Sequence, residues 1–210
     1  MSRRQRLPKA HEGVPTRDKI LAQAMAVLVE DGFDRFSVQR VLEGADISRA
    51  TLYRHFPDVD GLIEAAMVEV FRQQVDLYLG AARGLVEQST DRYMFRDGLK
   101  RLLETLGELP ARVRVQRAHT LVLGASRPEL GKAVAAVQER LNDGWEEVVR
   151  SAQERGLVRN DLNPRTVGVL VQSLTLGRII DDVVDKQMGN SKWAEAVFDV
   201  FDRTFFTEAV

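Results

Sequence analysis

A short segment near the N-terminus combines side chains that can read DNA with a spacing that predicts two small helices. The second of these helices would present Arg49, Ala50 and Thr51 at its N-terminal end. The major groove of DNA admits one helix and is read by the first turns of that helix. Arg49 can donate hydrogen bonds to guanine, and Ala50 or Thr51 can contact the methyl group of thymine. These three residue types therefore favour base recognition.

Other polar side chains nearby have the reach and the donors to hold the DNA backbone on either side. They are Ser37, Gln39, Arg40, Ser48, Tyr53, Arg54 and His55. Contacts to phosphates set the register of a protein on DNA without reading its sequence. The spacing alone leaves a second interpretation open, in which this segment is a three-helix packing unit with an ordinary charged surface.

The helices that must position these residues are predicted from capping residues and from helical periodicity. Thr16 is a suitable N-cap for a first helix, and Gly32 is a suitable residue to end it. Ser37 can cap a second helix, and Ser48 can cap a third, which ends before Pro57. The order helix, turn, helix is therefore predicted from local signals.

Beyond this segment the apolar residues keep a helical spacing to the C-terminus, and the strand signal is weak. Further helices are predicted over residues 59–87, 91–109, 111–125, 128–155, 164–187 and 191–207. The fold class is therefore all-α, with about nine helices. Residues 1–15 are interrupted by Pro8, Gly13 and Pro15, and they are predicted to form a flexible basic arm.

Charge is distributed unevenly along the chain, although the formal net charge is only −1. Residues 1–57 carry a net charge of +3, and the remaining 153 residues carry −4. The arm contributes Arg3, Arg4, Arg6 and Lys9 to the basic end. This asymmetry is mild, and it permits DNA binding at the N-terminal end without requiring it.

Several classes of protein are disfavoured by what the sequence lacks. There are no cysteines, and His11, His55 and His119 are too far apart for a metal-ligand spacing, so we expect no metal. There is no phosphate-binding glycine loop and no Ser/His or His/acid grouping, so we expect no catalytic residues, no cofactor and no enzyme. No apolar run approaches the roughly 20 residues that span a bilayer, and nothing resembles a signal peptide. A cytoplasmic protein without a membrane partner is therefore expected.

The residues from Phe36 to Phe56, FSVQRVLEGADISRATLYRHF, preceded by Gly32 and Phe33, resemble the DNA-binding domain of the tetracycline-repressor (TetR) family. The specific core is Ser-x-x-Thr-Leu-Tyr-x-His-Phe at residues 48–56, and the resemblance covers about residues 16–70. It implies a helix-turn-helix DNA-binding domain at residues 16–60. It also implies a larger helical ligand-binding and dimerisation domain at residues 61–210, with the last two helices forming a dimer bundle.

The resemblance also implies roles for individual residues. Thr51, Tyr53 and His55 would contact DNA, Arg49 and Ala50 would face base edges, and Leu52 and Phe56 would lie in the core.

Three positions depart from the pattern of the family. The usual glycine of the turn is Asp46, which tolerates a left-handed conformation better than most residues, so we expect the turn to survive. The usual basic residue at the start of the fourth helix is Val59, so a phosphate contact there is in doubt, and basic residues of the arm would have to replace it. Ala50 stands where glycine is frequent, which favours the helix.

The larger domain offers weaker signals for a ligand. His119 lies in an apolar helix, where a lone histidine is more often a core or interface residue than a ligand contact. Trp145 and Gln172 are candidates to line a pocket, as is Arg178 paired with Asp181 or Asp182. Helix packing for Trp145 and solvent exposure for the charged residues are the favoured interpretations.

An apolar stripe on the last helix is too large to leave exposed on a monomer, so it is predicted to be core, dimer interface or both. The predicted interface comprises Leu170 and Leu174 on one helix and Trp193, Val197, Phe201 and Phe205 on the next. The leading hypothesis is a homodimeric regulator, a repressor that leaves a palindromic DNA operator when a small apolar or amphipathic effector binds. An all-α enzyme and a helical interaction module are the alternatives.

Overall fold

The computed structural model describes residues 15–206, and within that range it contains helices and no strand. The helices are α1 (Thr16–Asp31), α2 (Val38–Ala45), α3 (Arg49–His55), α4 (Val59–Gln88), α5 (Arg92–Gly107), α6 (Ala111–Ser126), α7 (Pro128–Glu154), α8 (Pro164–Gly177), α9 (Ile179–Asp182) and α10 (Asn190–Phe205). Since α9 is a single turn, the prediction of an all-α fold with about nine helices is confirmed. The basic arm, with Arg3, Arg4, Arg6 and Lys9, lies outside the described residues.

Capping residues define the two short helices as predicted. The Ser37 side chain accepts a hydrogen bond from the backbone N–H of Arg40 at 3.4 Å, and that of Ser48 accepts one from Thr51 at 3.2 Å. Asp46 ends α2 in a left-handed conformation with φ 54° and ψ 53°. The turn therefore survives the replacement of the usual glycine, because aspartate tolerates this region of backbone space better than most residues.

The start of α1 differs from the prediction. Thr16 is the first helical residue, Pro15 occupies the cap position, and no side chain caps the helix. Proline suits this place because it has no N–H that would need a partner. The other end agrees with the prediction, since Gly32 follows the helix with φ 79°.

The chain divides into two compact units, the first extending to Val70 and the second beginning at Phe71. The predicted boundary, between residues 60 and 61, lies ten residues earlier, in the first turn of α4. In the first unit α1 packs against α2, and the buried side chains include Ile20, Leu28 and Val41. This core supports the short helix α3.

In the second unit the main helix pairs are α7 with α8, α5 with α10, and α6 with α7. Asp91 caps α5 by accepting hydrogen bonds from the N–H groups of Tyr93 and Met94, both at 2.9 Å. Pro128 and Pro164 begin α7 and α8, as predicted. In the described part of the chain, no helix is both long enough and apolar enough to cross a membrane.

The predicted single helix over residues 164–187 is wrong. It breaks after Gly177 into α8 and the single turn α9, and residues 183–189 are not helical. Side chains around the break bond to other parts of the unit: Arg178 donates to the backbone carbonyl of Gly107, and Asp182 accepts from Arg114 of α6. These tertiary hydrogen bonds outweigh the helical periodicity of the segment.

The predicted dimer stripe on α10 also requires correction. Trp193, Val197, Phe201 and Phe205 belong to a hydrophobic core within one chain, and Phe201 is only 1% exposed. Side chains that are buried in the monomer have no surface left for a partner. This face of α10 is therefore core, one of the two roles that the sequence allowed.

Candidate nucleic-acid interface and interior cavity

The face of α3 that was predicted to read DNA is exposed. Arg49, Ala50, Tyr53, Arg54 and His55 all have exposed side chains, with Tyr53 42% accessible. The predicted inward residues, Leu52 and Phe56, are buried four positions apart on the opposite side. α3 therefore presents a polar surface with no carboxylate, and its two apolar side chains, Leu52 and Phe56, are buried on the other side.

Thr51 and Ser48 are linked at the start of this helix. The Ser48 Oγ and Thr51 Oγ1 atoms lie 3.0 Å apart, and Arg54 Nη2 donates to Thr51 Oγ1 at 3.3 Å. Because Ser48 also caps the helix, it holds the N-terminal turn of α3 in place. The side chains that would meet the bases are thus oriented before DNA arrives.

The predicted phosphate contacts of α2 have partners within the chain. Gln39 Nε2 donates to Glu43 Oε1 at 2.7 Å. Arg40 donates to Glu30 at 2.6 Å and also to Asp31, so it joins α2 to the end of α1. The hydrogen bonds that Arg40 donates to Glu30 and Asp31 raise the pKa of Arg40 above its usual value. These ion pairs of Arg40 were not predicted. The DNA contacts by Ser37, Gln39 and Arg40 stay predictions.

The start of α4 has no basic residue that could contact a phosphate, as the sequence indicated. Val59 opens the helix, and the preceding Asp58 accepts a hydrogen bond from the N–H of Gly61 at 2.7 Å. A capping carboxylate therefore occupies the end of the helix where a basic residue was expected. Nothing at this position supplies positive charge for DNA.

In the second unit, three of the four candidate ligand residues meet at one cavity. Trp145, Gln172 and Arg178 line a space of about 80 Å³. His119 is not among the residues that line this cavity, and its role as a ligand contact stays a prediction. Arg178 is buried, which also contradicts the interpretation that the charged residues are solvent-exposed.

The cavity has a polar end that sequence reasoning missed. Arg114, Arg117 and Tyr78 line it beside Gln172 and Arg178. Tyr78 comes from α4, Arg114 and Arg117 from α6, and Gln172 from α8, while Arg178 lies between α8 and α9. No local pattern could have assembled them.

Arg114 and Arg117 differ in how their charge is balanced. Arg114 makes a two-pronged ion pair with Asp182, with N–O distances of 2.7 and 2.6 Å. Arg117 has no such partner: its Nη2 donates to Gln172 Oε1 at 3.1 Å, and its guanidinium carbon lies 5.5 Å from the centre of the Phe71 ring. In the part of the chain that the structure describes, the charge of Arg117 is therefore met by a neutral amide and an aromatic ring, and by no carboxylate.

Gln172 is held firmly at the centre of this polar end. Besides the hydrogen bond from Arg117, its Oε1 accepts one from Gln138 Nε2 at 2.8 Å. Its Nε2 donates to Asn142 Oδ1 at 3.0 Å. A fixed amide of this kind can orient a ligand without moving.

Burial perturbs the ionisable groups that line the cavity. It lowers the pKa of Arg117 and of Arg178 and raises the pKa of Tyr78. The hydrogen bond from Arg114 lowers the pKa of Asp182. Since arginine ordinarily titrates above about 12, both arginines remain charged at neutral pH and Tyr78 remains a neutral donor.

A second cavity of about 70 Å³ adjoins the first and is almost entirely apolar. The two share lining side chains from α5, α7 and α8, namely Leu102, Leu106, Trp145, Val171 and Thr175. Movement of a few of these side chains would join the two spaces. A ligand with a polar end and an apolar end would fit the combined space.

The ion pair between Arg114 and Asp182 gives a pH-dependent prediction. We expect Asp182→Asn to lower the free energy of unfolding at neutral pH by about 3 kcal/mol, because it leaves a largely buried guanidinium unpaired. Arg114 lowers the folded-state pKa of Asp182 below the unfolded value of about 3.9. The contribution of the pair is therefore complete above that value and is lost as the pH falls through the lower folded value.

Thermal melts of both proteins between neutral pH and about pH 3 test this prediction. The difference in Tm should be largest at neutral pH and should shrink in the acidic range. A difference that stays constant across the whole range would contradict the ion pair as its source.

Within residues 15–206, no three His, Asp or Glu side chains are grouped closely enough to hold a metal ion.

Comparisons with known proteins agree with this geometry. Residues 20–66 match the family model described as "Bacterial regulatory proteins, tetR family". The chain is 24% identical over 170 residues to the HTH-type transcriptional regulator UidR of Escherichia coli (strain K12), covering 81% of this chain and 83% of UidR.

Two solved structures share the fold. A regulator from Mesorhizobium loti assigned to the TetR family aligns with a TM-score of 0.69 at 18% identity, over 90% of this chain and 96% of that chain. FadR from Bacillus subtilis, solved in complex with stearoyl-CoA, aligns with a TM-score of 0.60 at 13% identity, over 87% and 96% of the two chains. These relatives are transcriptional regulators and not enzymes, so the enzyme alternative is wrong.

Proposed function

Because this chain is a DNA-binding transcriptional regulator of the TetR family, we propose that it works as a homodimeric repressor whose operator binding is controlled by a small molecule. The observation that carries the proposal is the exposed face of α3, where Arg49, Tyr53 and Arg54 stand free of any carboxylate in the same helix. A surface of this kind suits one major groove. The larger helical unit supplies the cavity for the effector.

In this proposal the residues of α3 have different roles in DNA recognition. Arg49 and Ala50 face base edges, Thr51 contacts a thymine methyl group, and Tyr53 and His55 contact the backbone. Ser37, Gln39, Arg40 and Arg54 add phosphate contacts at the flanks. Binding by Arg40 would then require it to release or share the carboxylates of Glu30 and Asp31, which makes it the weakest of these assignments.

A homodimer follows from the size of the reading element. One helix of seven residues covers only a few base pairs, so specificity requires two copies about one helical turn of DNA apart, on a palindromic operator. The outer face of α8 supports such a dimer, because Val169 and Leu170 are exposed there while Val167 and Gln172 are buried. On α10 the exposed apolar residue is Val200. These outward residues replace the buried stripe as the proposed interface.

Control by a small apolar or amphipathic effector is supported by the two adjoining cavities. FadR, which has the same fold, was solved with stearoyl-CoA, a molecule with an apolar chain and a polar group. The helix α4 begins at Val59 and ends at Gln88, and its Tyr78 lines the first cavity. We propose that an effector shifts α4 and thereby α3, which requires a coupling free energy of only about 1–3 kcal/mol. Such a repressor would act in the cytoplasm.

Selection of binding sites from random duplex DNA tests the proposed function. Full-length protein should enrich an inverted repeat, and its affinity for that repeat should fall steeply as salt increases, since phosphate contacts release counterions. Duplexes that carry only one half of the repeat serve as the control and should bind more weakly. Failure to enrich any sequence, together with salt-independent binding, would overturn the proposal.

A further inference from the structure

We infer that the effector of this cavity is an organic acid, with one anionic head held by Arg117 and Arg178 and an apolar body. The inference rests on the proposed function in taking the cavity as the effector site, and it adds the chemical class of the effector. It is carried by buried positive charge that no ion pair neutralises within residues 15–206.

Arg117 is the main source of that excess. It is 8% exposed, and its Nε is buried without a hydrogen-bond partner. Among residues 15–206 its polar contact is the neutral amide of Gln172, and no carboxylate forms an ion pair with it. A buried charge without a partner is costly, and buried charges are ordinarily paired. An anion bound in the cavity would supply the missing partner.

Arg178 contributes a second cation at the same cavity. It is 7% exposed, and its Nε is also buried without a partner. Its other nitrogens donate to the backbone carbonyl of Gly107 and to Asn190 Oδ1, both at 2.5 Å, and its guanidinium carbon lies 5.0 Å from the centre of the Trp193 ring. These contacts hold the guanidinium in position, while its Nε–H has no hydrogen-bond partner among the described residues.

The nearby carboxylates of Asp181 and Asp182 favour the charge of Arg178, but the hydrogen bonds described for both carboxylates are with other groups. Asp182 is engaged in the two-pronged pair with Arg114. Asp181 accepts a hydrogen bond from the N–H of Met188 at 2.7 Å. Three guanidinium groups therefore line the cavity. Among the described residues, the one that forms an ion pair with a carboxylate is Arg114, whose partner is Asp182.

The rest of the lining determines the body of the ligand. The first cavity is walled mainly by aliphatic and aromatic side chains, and the second continues this apolar surface past Leu103, Val149 and Phe201. Small volumes of about 80 and 70 Å³ and apolar walls disfavour a ligand with several charges. A carboxylate on an aliphatic or aromatic body satisfies both the charge and the shape.

Calorimetric titration of the full-length protein with straight-chain acids of increasing length, and with alcohols and amines of the same lengths, tests the inference. At the best length the acid should bind at least about tenfold more tightly than the alcohol, as expected for a charge-assisted hydrogen bond. The amine should bind more weakly than the alcohol because it adds positive charge. Equal affinity for acid and alcohol, or no binding of any acid, would overturn the inference.

Variants of Arg117 test whether this residue causes the preference for the acid over the alcohol. Arg117→Met should reduce binding of the acid to the level of the alcohol, while Arg117→Lys should keep part of the preference because it keeps the charge. Arg140→Met removes an exposed arginine that pairs with Asp76, and it should change neither affinity. A full acid preference in Arg117→Met would overturn the assignment.

The ligand-free protein gives an independent test. If Arg117 is kept for an anion, Arg117→Met should raise Tm by about 2–4 °C without ligand, since it removes an unpaired buried charge. A lower Tm would mean that Arg117 is structural and would overturn the inference. These measurements need no DNA, so they are separable from the proposed function: loss of operator binding would leave them unchanged, and loss of acid preference would leave operator binding intact.

Discussion

Leu170→Glu is expected to turn a dimer into a monomer and to lower affinity for a palindromic operator by at least about 100-fold. Leu170 is 37% exposed on the outer face of α8, beside the exposed Val169. At a two-fold interface each substitution appears twice, so two carboxylates would be placed close together in an apolar contact. Losing a central apolar contact costs about 2 kcal/mol or more, and a monomer also loses the second half of the operator.

Sedimentation and operator binding of the same preparations measure this effect. The matched control is Leu77→Glu, which places the same charge on a leucine that is 67% exposed on α4, and which should leave both the mass and the affinity unchanged. A Leu170→Glu protein that remains dimeric would show that the outer face of α8 is not the interface. Phe201 is unsuitable for this purpose, because a charge at so buried a position would unfold the monomer itself.

Tyr53→Ala is expected to weaken operator binding by about 10- to 100-fold, as single recognition contacts contribute about 1–3 kcal/mol. Because Tyr53 is exposed, the free energy of unfolding should change by no more than about 0.5 kcal/mol. Binding measured at one fixed salt concentration, together with thermal melts, checks both parts.

The neighbouring Leu52→Ala provides the contrast. Leu52 is fully buried, so its truncation should cost about 2–5 kcal/mol of stability through lost burial and a residual cavity. Operator binding should then fall only where the small domain unfolds. If Tyr53→Ala bound the operator as tightly as the parent, α3 would not be the reading element.

The exposed face of α3, which we propose reads DNA, could be predicted because its determinants are local. Ser48 caps α3 through an atom only three residues away, and Asp46 forms its turn through its own backbone conformation. Leu52 and Phe56 then fix which side of the helix faces inward, since residues four apart share a face. Ion pairs between exposed residues are not determined locally, since they join side chains from different helices. The ion pair between Arg40 and Glu30 was therefore not predicted.

The cavity could not be predicted in the same way. Arg117 has an ordinary place in the sequence of α6, and only the packing of α6 and α8 against α7 brings it to Gln172. The break after Gly177 similarly depends on Arg178 reaching Gly107, which lies 71 residues earlier in the chain. Helical periodicity contains no information about such partners.

The sequence by itself determined the helical fold class, the capped helix-turn-helix and the side chains that α3 presents, because each depends on neighbours within about four residues. Tertiary structure alone decided which apolar stripes face the core and which charges are buried. Trp193 and Phe201 show why: a helix with a strong apolar face must cover that face, but periodicity cannot say whether its own chain or a second copy does so. In this protein the same chain covers it, whereas Leu170 on α8 stays exposed.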